Sequence, residues 1–365
     1  MRKLGISLYP EKSSPQQLEE YIDKAAQAGF SRIFSCLLSI EDEVGKIKSD
    51  FIRVNSYAKA KGFEVFVDVS PRVFDKLGIS YQNLQFFKDI EADGIRLDAG
   101  FTGNEEALMT YNPQGLKIEI NMSNDTHYID TIMDYQPNVY NLVGCHNFYP
   151  HRYSGLSLEH FNACSANFKK YGLRTAAFVT STNSEAFGPW PVSEGLPSLE
   201  MHRDLPLGVQ VKHLIALGNI DDIIISNCFP TMQEFNDIAG IRLDLVSFKV
   251  NLVPEIPKIE EKIVLEELHF NRGDFNEGMI RSTQSRVKYK GHDFKIFNAP
   301  EMIRREDVII ESSLYGHYAG ELQIAKQDMK NSGKTNVVGR IADEELFLID
   351  YIKPWQKFTF VEAGE

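Results

Sequence analysis

Cysteine is scarce in this chain of 365 residues, and the cysteines that are present lie far apart. They are Cys36, Cys145, Cys164 and Cys228, and no two of them form a C-x-x-C pair. Disulfide frameworks and common zinc sites need clustered cysteines, so the sequence indicates neither. We expect four buried thiols, because free cysteine packs as a small apolar side chain.

An excess of positive charge is also lacking. The chain has 39 Lys and Arg residues against 51 Asp and Glu residues, which gives a net charge of −12. Proteins that bind nucleic acids need a basic surface, so we expect no nucleic-acid partner.

Long apolar runs are absent from the sequence as well. No segment approaches the roughly 18 consecutive apolar residues of a membrane span. Near the N-terminus, the polar residues Pro10, Glu11 and Lys12 follow the first apolar run too soon for a signal peptide. We therefore expect a cytoplasmic protein without a membrane partner.

The chain does contain a regular alternation of strand and helix patterns up to about residue 239. Strands are predicted at 3–9, 32–39, 64–70, 94–98, 116–122, 139–147, 174–180 and 222–226. Helices are predicted at 14–28, 41–61, 125–135, 157–171 and 207–217, the first with an N-cap at Ser14 and a capping-box partner at Gln17. Eight strands, each followed by a helix or a helix-sized space, predict a (β/α)8 TIM barrel in α/β class. A doubly wound open sheet is the alternative, but no G-x-G-x-x-G or G-x-x-x-x-G-K-[ST] motif follows a strand, so nucleotide binding has no support.

A change of pattern after this barrel predicts a second domain. Strand-like segments are predicted at 245–253, 263–268, 278–281, 287–289, 294–297, 308–312, 337–341, 347–351 and 358–361, with a helix only at 321–325. Short strands at this spacing indicate a small closed β structure. We expect a TIM-barrel domain at 1–240 and a β-barrel domain at 244–365.

The segment 92–124 combines two apolar runs in which charged residues recur at every second position. Strands place alternate side chains on one face, so Arg96 and Asp98 share a face, and Glu119 and Asn121 share the corresponding face of the next strand. We expect Asp98 and Glu119 to enter one polar interior near the carboxyl ends of both strands.

Polar residues also occur at the predicted carboxyl ends of other strands, where barrel enzymes place their active sites. The candidates for substrate binding are Ser7, Tyr9 and Glu11, Asp68 and Ser70, Arg96, Asn121, His146, Asn147 and Tyr149, and Asn227. Each could instead be a satisfied member of a structural ion-pair network, and Arg96 with Asp98 could be such a pair. Polar ends on six of the eight strands together favour a small-molecule site.

The carboxylates of Asp98 and Glu119 suit acid–base catalysis, because one can stay protonated beside the charge of the other. Neighbouring strands lie about 4.8 Å apart, close to the roughly 5–5.5 Å carboxyl separation of retaining glycosidases. A divalent cation held by Asp68, Asp98, Glu119 and His146 is the competing interpretation. No local ligand spacing supports it, and we expect neither a metal nor a cofactor.

A long loop at 181–204 follows the seventh predicted strand, and loops of this length are often functional. It contains the sequence FGPWP at 187–191, which could form a platform for a sugar ring, followed by Glu200, His202 and Arg203, which could reach the pocket. A rigid loop that packs its own aromatic residues is the alternative.

The most basic stretch of the chain is at 281–295, in the second domain. Arg281, Ser282 and Arg286 are candidates for phosphate binding, because the guanidinium fork binds two phosphate oxygens at once. A charged edge strand that discourages aggregation is the alternative.

Several motifs resemble those of the bacterial MupG-type 6-phospho-N-acetylmuramidases, a glycoside hydrolase family. They are LGISLYPE at 4–11, GIRLDAGF at 94–101, IEINMSN at 118–124, CHNFYP at 145–150, GLPSLEMHR at 195–203 and RSTQ at 281–284. The resemblance covers essentially the whole chain. It implies an N-terminal TIM barrel, a C-terminal cyclophilin-like β-barrel, and hydrolysis of the β-1,4 bond between 6-phospho-N-acetylmuramic acid and N-acetylglucosamine in cell-wall recycling.

We therefore expect a phosphosugar glycosidase whose partner is a phosphorylated amino-sugar disaccharide. Asp98 and Glu119 would be the acid–base and the nucleophilic or stabilising group, in an order left open, and the N-acetyl group of the substrate could act as an internal nucleophile. A non-catalytic phosphosugar-binding protein and another phosphosugar-processing barrel enzyme, such as an isomerase or aldolase, are the alternatives. A homodimer is left open.

Overall fold

The computed structural model describes residues 1–37, 44–69, 74, 77–192 and 194–364. The chain divides into two compact units. The barrel unit comprises Met1–Leu214 with Gly218–Gly240, and the second unit comprises Ile215–Leu217 with Ile241–Glu365. Among the described residues, no helix is both long and apolar enough to cross a membrane.

The barrel unit is built on eight parallel strands that close in sequential order, each one hydrogen-bonded to the next and the eighth to the first. The strands are β1 (Lys3–Leu8), β2 (Arg32–Cys36), β3 (Glu64–Val69), β4 (Gly94–Leu97), β5 (Lys117–Asn121), β6 (Leu142–Cys145), β7 (Arg174–Val179) and β8 (Asp222–Ile225). This closure confirms the predicted TIM-type barrel and rules out the open doubly wound sheet.

Helices follow the strands of the barrel. They are α1 (Pro15–Gln27), α2 (Val44–Ala60), α3 (Gln85–Asp89), α4 (Asn104–Met109), α5 (Tyr128–Asp134), α6 (Leu158–Lys169), α7 (Leu207–Leu217) and α8 (Met232–Ala239). The predicted capping box opens α1, since Ser14 Oγ accepts from the N–H of Gln17 and the Gln17 side chain accepts from the N–H of Ser14. The predicted strand ends at Ser39 and Ser70 lie outside the described residues, as does the predicted helix start at Glu41.

Charged side chains fill the amino-terminal end of the barrel interior. Arg32, the first residue of β2, forms ion pairs with Glu119 of β5 and, at 2.5 Å, with Asp222 of β8. All three side chains are buried. The guanidinium also lies 4.2 Å from the ring centroid of Phe66, so it is packed as well as paired.

An aromatic layer lies further along the barrel interior. The rings of Phe34 and Phe178 are 5.0 Å apart in an edge-on arrangement, and Phe148 lies 5.1 Å from Phe178. Such large rings give the interior a packed core rather than a pore, as in other barrels of this class. Within the barrel unit, the expected place for a ligand is therefore at the carboxyl ends of the strands.

The second unit contains a seven-stranded sheet in the order β10-β17-β9-β16-β13-β14-β11 and a two-stranded sheet of β12 and β15. Its strands are β9 (Val246–Leu252), β10 (His269–Phe270), β11 (Met279–Ser282), β12 (Met302–Ile303), β13 (Asp307–Glu311), β14 (Leu322–Ala325), β15 (Met329–Lys330), β16 (Thr335–Ile341) and β17 (Lys357–Glu362). Two helices accompany them, α9 (Lys258–Glu266) and α10 (Gln284–Lys288). The ends of the large sheet approach each other, since the N–H of Arg272 donates to the carbonyl of Arg281 at 3.0 Å.

Five of the predicted elements of this unit are wrong. The strands predicted at 263–268 and 287–289 fall in α9 and α10, the strand at 347–351 is part of a 3-10 helix, and the helix at 321–325 contains β14. The strand predicted at 294–297 is irregular. Short apolar runs do not distinguish a strand from one side of a helix, and β14 takes its conformation from pairing with β13 and β11 on both sides.

Candidate active site at the barrel mouth

Two carboxylates meet one arginine at the carboxyl ends of β3 and β4. Asp68 of β3 lies level with Arg96 of β4 in the strand register. A single nitrogen of Arg96, Nη1, lies 2.7 Å from an oxygen of Asp68 and 3.5 Å from an oxygen of Asp98. Asp68 and Arg96 are buried, whereas 44% of the Asp98 side chain is exposed. One carboxyl is therefore shielded and the other faces solvent.

Burial raises the pKa of Asp68 to about 6. The positive charge of Arg96 opposes this increase, and the negative charges of Asp98 and Glu119 add to it. Asp68 can therefore hold a proton near neutral pH, which is the property required of a general acid.

Amide and phenol groups surround this cluster. Arg96 donates to Oδ1 of Asn147, and Nδ2 of Asn121 donates to the carbonyl oxygen of Asp98 at 3.3 Å. Tyr149 is half-buried, and burial raises the pKa of its phenol. These three residues, predicted from the sequence as substrate-binding, are thus brought together at the mouth with Asp68, Arg96 and Asp98.

A cavity of about 360 Å³ adjoins Asp98 and Asn121. Its walls come mainly from the segments after β4 and β5, including Gly100 and Tyr128. A side chain at Gly100 would collide with the Tyr128 hydroxyl, so a larger residue here would displace this ring from Glu106.

The carboxylate of Glu106 fixes the shape of this cavity, and the sequence analysis did not identify it. Glu106 is fully buried and accepts from the Tyr128 hydroxyl and from the N–H groups of Phe101 and Gly103. The signal in the sequence is the glycine at 103 followed three residues later by glutamate, a capping-box spacing at the start of α4.

The expectation that Glu119 lies beside Asp98 at the mouth is wrong. The register places Glu119 level with Arg96, so that Asn121 and not Glu119 is the neighbour of Asp98 across the strands. Glu119 is fully buried and paired with Arg32. An alternation of two residues identifies the face of a strand but does not give the depth of a side chain in the barrel.

His146 also lies away from the mouth, contrary to the sequence prediction. Its ring is fully buried and stacks on Phe161 at 4.1 Å. Its two nitrogens are within hydrogen-bond distance of Ser165 Oγ, at 3.0 Å, and Ser123 Oγ, at 3.4 Å. Burial lowers its pKa to about 3, so it is a neutral structural histidine between the barrel and α6.

Glu200 and Arg203 organise the long loop after β7 instead of reaching a pocket. Arg203 is buried, pairs with Glu200, and donates to backbone carbonyls of His151 and Glu194 among others. Glu200 also accepts from the N–H of Tyr153 at 2.7 Å. The hydrogen bonds from Arg203, together with those from the backbone of Tyr153 and Gly155, lower the pKa of Glu200 to about 2. The pair ties this loop to the segment after β6.

His202 is likewise structural. It is fully buried, and its Nε2 shares a hydrogen bond of 2.8 Å with Nδ1 of His213 in α7. Burial lowers the pKa of His202, and the proximity of His213 lowers it further. The sequence prediction that it contacts substrate is therefore contradicted by its position.

Ser7 and Tyr9 are buried at the end of β1. The Tyr9 hydroxyl donates to the carbonyl of Ser226, which fixes the ring inside the protein, and the hydroxyl of Ser7 is inaccessible to a ligand. Asn227 hydrogen-bonds through both amide atoms to the backbone of Ser181. We therefore assign these three residues to structure.

A second, smaller pocket opens beside the end of β1. It is lined by Tyr9, Pro10, Glu11, Lys12, Cys36, Pro189 and Trp190. Lys12 donates to the carbonyl of Gly188 at 2.8 Å, which holds the long loop against this part of the mouth. The side chain of Trp190 is 44% exposed. An aromatic surface is therefore presented here.

The three candidate phosphate-binding residues of the second unit do not lie together. Arg281 and Arg286 both form ion pairs of 2.7 Å with the fully buried Glu321. Ser282, in contrast, is fully buried and its hydroxyl is 3.0 Å from Nδ1 of His269. Successive strand residues point to opposite faces, so Ser282 cannot act with the two arginines.

In the part of the chain that the structure describes, no group of three or more His, Cys, Asp or Glu residues has the arrangement of a metal site. A closed barrel with carboxylates at its mouth is the arrangement typical of a barrel enzyme that acts on a small molecule.

Comparison with known families identifies the kind of barrel enzyme to which the chain belongs. The N-terminal profile of the 6-phospho-N-acetylmuramidases matches residues 4–240, and the C-terminal profile matches residues 246–361. The chain therefore belongs to the 6-phospho-N-acetylmuramidase family and is a glycosidase.

Two solved structures are similar over nearly the whole chain. An uncharacterised B. cereus protein is 46% identical, with a TM-score of 0.91 and coverage of 99% of both chains. A conserved Enterococcus faecalis protein of unknown function is 24% identical, with a TM-score of 0.70, covering 99% of this chain and 97% of the other. The second likeness supports the fold alone. A search of curated proteins found no match.

Proposed function

We propose that this protein hydrolyses the β-1,4 bond between 6-phospho-N-acetylmuramic acid and N-acetylglucosamine, in the cytoplasmic recycling of peptidoglycan. The observation that carries the proposal is the pair Asp68 and Asp98, held on Arg96 at the barrel mouth of a member of this family. A glycosidase needs two carboxyl groups in different states, and the different burial of these two residues supports that requirement.

Asp68 is our candidate for the general acid. With a pKa of about 6 it can give a proton to the departing sugar oxygen, after which Arg96 stabilises the carboxylate that remains. Asp98, which faces the cavity, would stabilise the positive charge that develops at the anomeric carbon. Arg96 is then a positioning residue for both carboxyl groups.

The spacing of the two carboxyl groups favours retention of anomeric configuration. The two nearest carboxyl oxygens lie 2.7 and 3.5 Å from one nitrogen, so they are at most about 6.2 Å apart, which is below the roughly 6.5–9.5 Å separation of inverting enzymes. Either Asp98 or the acetamido group of the substrate would act as the nucleophile. The amides of Asn121 and Asn147 would bind sugar hydroxyl or acetamido groups.

For the second unit we infer a cyclophilin-like fold. Its support is a seven-stranded sheet whose ends approach each other through the hydrogen bond from Arg272 to Arg281.

Incubation of the purified protein with the phosphorylated disaccharide tests the proposed reaction. We expect mass spectrometry to detect the two monosaccharides, and NMR to detect the β-anomer first. Asp98→Asn should reduce turnover by about 10²- to 10⁴-fold with an unchanged melting temperature. If the disaccharide binds to the wild-type protein but stays intact, the protein is a phosphosugar-binding protein instead.

A further inference from the structure

Two arginines of the second unit converge on a single acidic side chain. Nε of Arg281 lies 2.7 Å from Oε1 of Glu321, and Nη1 of Arg286 lies 2.7 Å from Oε2. Glu321 is fully buried, whereas 19% of the Arg281 side chain and 16% of the Arg286 side chain remain exposed. The carboxylate thus holds both guanidinium groups in place, and part of each arginine side chain remains at the surface.

An aromatic ring flanks the same two groups. The Cζ atoms of Arg281 and Arg286 lie 5.6 and 5.4 Å from the ring centroid of Tyr318. This contact restricts the orientation of both guanidinium planes and reduces the entropy that they would lose on binding a ligand.

The charges of the cluster leave it positive. Two arginines face one carboxylate, and the neighbouring Arg272 is paired with Asp274 at 2.6 Å. Glu311 is buried nearby, and its burial raises its pKa to about 7, so its negative charge is reduced at neutral pH. The contacts to Glu321 use Nε of Arg281 and Nη1 of Arg286, so other N–H groups of both side chains can reach a second acceptor.

Gln323 also helps to hold Glu321 in place beside the arginines. Gln323 is 4% exposed, and its Nε2 donates to Oε1 of Glu321 at 3.2 Å. Its Oε1 has no hydrogen-bond partner among the residues that the structure describes. That oxygen is enclosed by the protein, so the contribution of Gln323 is its hydrogen bond to Glu321.

We propose that Arg281 and Arg286, fixed by Glu321 and Tyr318, form a binding site for a sugar phosphate on the second unit. The guanidinium groups bind the phosphate oxygens as forked donors, and the ring of Tyr318, which is 41% exposed, packs against the sugar. The site does not depend on the reaction proposed for the barrel, and it leaves Ser282 out of the predicted phosphate set.

Calorimetric titration of the full-length protein tests the site with three probes, namely N-acetylglucosamine 6-phosphate, inorganic phosphate and N-acetylglucosamine. We expect the sugar phosphate to bind more tightly than inorganic phosphate, and the unphosphorylated sugar to bind at least tenfold more weakly than either. Equal binding of the phosphorylated and unphosphorylated sugar would overturn the proposal, as would no binding of the sugar phosphate.

Arg281→Ala and Arg286→Ala should each weaken sugar-phosphate binding at least tenfold. Lys288→Ala is the matched control, because Lys288 lies in the same helix as Arg286, is 57% exposed and pairs with Glu267 instead. It should change the affinity less than twofold, and an equal effect of all three substitutions would indicate unspecific charge attraction only. Arg286→Lys keeps the charge without the fork, so it should fold and lose part of the affinity, even if an alanine variant does not fold.

Asp98→Asn separates this site from the catalytic proposal. It should bind N-acetylglucosamine 6-phosphate with wild-type affinity, because Asp98 belongs to the barrel unit and the two arginines belong to the second unit. Loss of sugar-phosphate binding in this variant would place the site in the barrel and overturn the inference. Absence of hydrolysis in the wild-type protein, with arginine-dependent binding intact, would overturn the proposed reaction only.

Discussion

The two aspartates on Arg96 have the same side chain but different environments. Asp68 is buried and its pKa is raised to about 6, whereas Asp98 is exposed at the cavity. Burial rather than residue type therefore assigns them to different roles in the proposed reaction.

A leaving group that needs no protonation should distinguish these roles. Asp68→Asn should reduce turnover of the phosphorylated disaccharide by about 10²- to 10⁴-fold, because the departing sugar oxygen loses its proton donor. The corresponding 4-nitrophenyl glycoside should be hydrolysed at a rate near that of the wild type, as measured by nitrophenol release. Asp98→Asn is the control and should impair both substrates, and an equal loss on both substrates for Asp68→Asn would remove it as the acid.

The pH dependence follows from the same pKa. Asp68 must be protonated in the free enzyme, so kcat/KM for the disaccharide should fall as the pH rises through about 6. Initial rates measured between about pH 4.5 and 8 would show this decrease in kcat/KM. If kcat/KM for the nitrophenyl substrate also fell as the pH rose through about 6, the assignment would be contradicted, since that substrate requires no acid.

Glu119→Gln should affect stability more than turnover. The substitution leaves the buried Arg32 with one carboxylate instead of two, and breaking a buried pair costs about 3 kcal/mol in the free energy of unfolding. Urea denaturation measures this loss. Asp89→Asn, at an exposed pair with Lys48, is the control and should have little effect. A stable Glu119→Gln protein without turnover would restore Glu119 to the mechanism.

At the scale of elements, the loop after β7 is held at both of its ends. Arg203 and Glu200 bind its C-terminal part, and the backbone of Phe187 pairs with Cys228. Between these anchors, Trp190 stays exposed beside the pocket near β1. The loop thus presents one aromatic surface from a fixed position.

Trp190→Ala should raise the KM for the disaccharide about tenfold, equivalent to about 1.4 kcal/mol, if the ring binds the departing sugar. The KM for the 4-nitrophenyl glycoside, which lacks that sugar, should change much less. Steady-state kinetics on both substrates gives the comparison. Val192→Ala is the control, since Val192 is exposed in the same loop but does not line the pocket.

The sequence predicted the elements of the barrel unit better than those of the second unit. The eight strands follow a repeated strand–helix pattern, and their closure requires only that order. β14 and the helices α9 and α10 are short segments whose conformations depend on neighbours distant in sequence. Local patterns do not carry that information.

The same limit explains which residues of the candidate site could be predicted from the sequence and which could not. Asp68, Arg96, Asp98, Asn121 and Asn147 were identified because they end strands. The depth of Glu119 depends on the stagger between strands, and the burial of His146 and His202 depends on the packing of helices against the barrel. Glu106 was missed because its role is to hold backbone N–H groups of a loop.

At the scale of the whole molecule, the reactivity of the four cysteines reports on local and global unfolding. All four are buried thiols that form no disulfide, and all lie within the barrel unit. Burial raises the pKa of Cys164 to about 11, so its reactive thiolate is rare at neutral pH. We expect a thiol-reactive dye to label none of them rapidly in the native protein and all four in urea.

The urea dependence of this labelling should coincide with unfolding of the barrel unit, measured by the fluorescence of Trp190 in a Trp355→Phe variant, since Trp355 belongs to the second unit. A reductant should leave the melting temperature unchanged, because the cysteines form no disulfide. Rapid labelling of one thiol under native conditions would identify a local opening, with Cys36 beside the pocket near β1 as the first site to examine by mass spectrometry.

The ion cluster of Arg32 has a consequence for how the protein is made. Arg32 leaves the ribosome in the second strand, but its partners follow in the fifth and the eighth. A nascent chain that has reached only the fourth strand would have to bury this cation alone, which is strongly unfavourable. Half-barrels are therefore disfavoured during synthesis, and the barrel should close only after Asp222 has emerged, as a single cotranslational event.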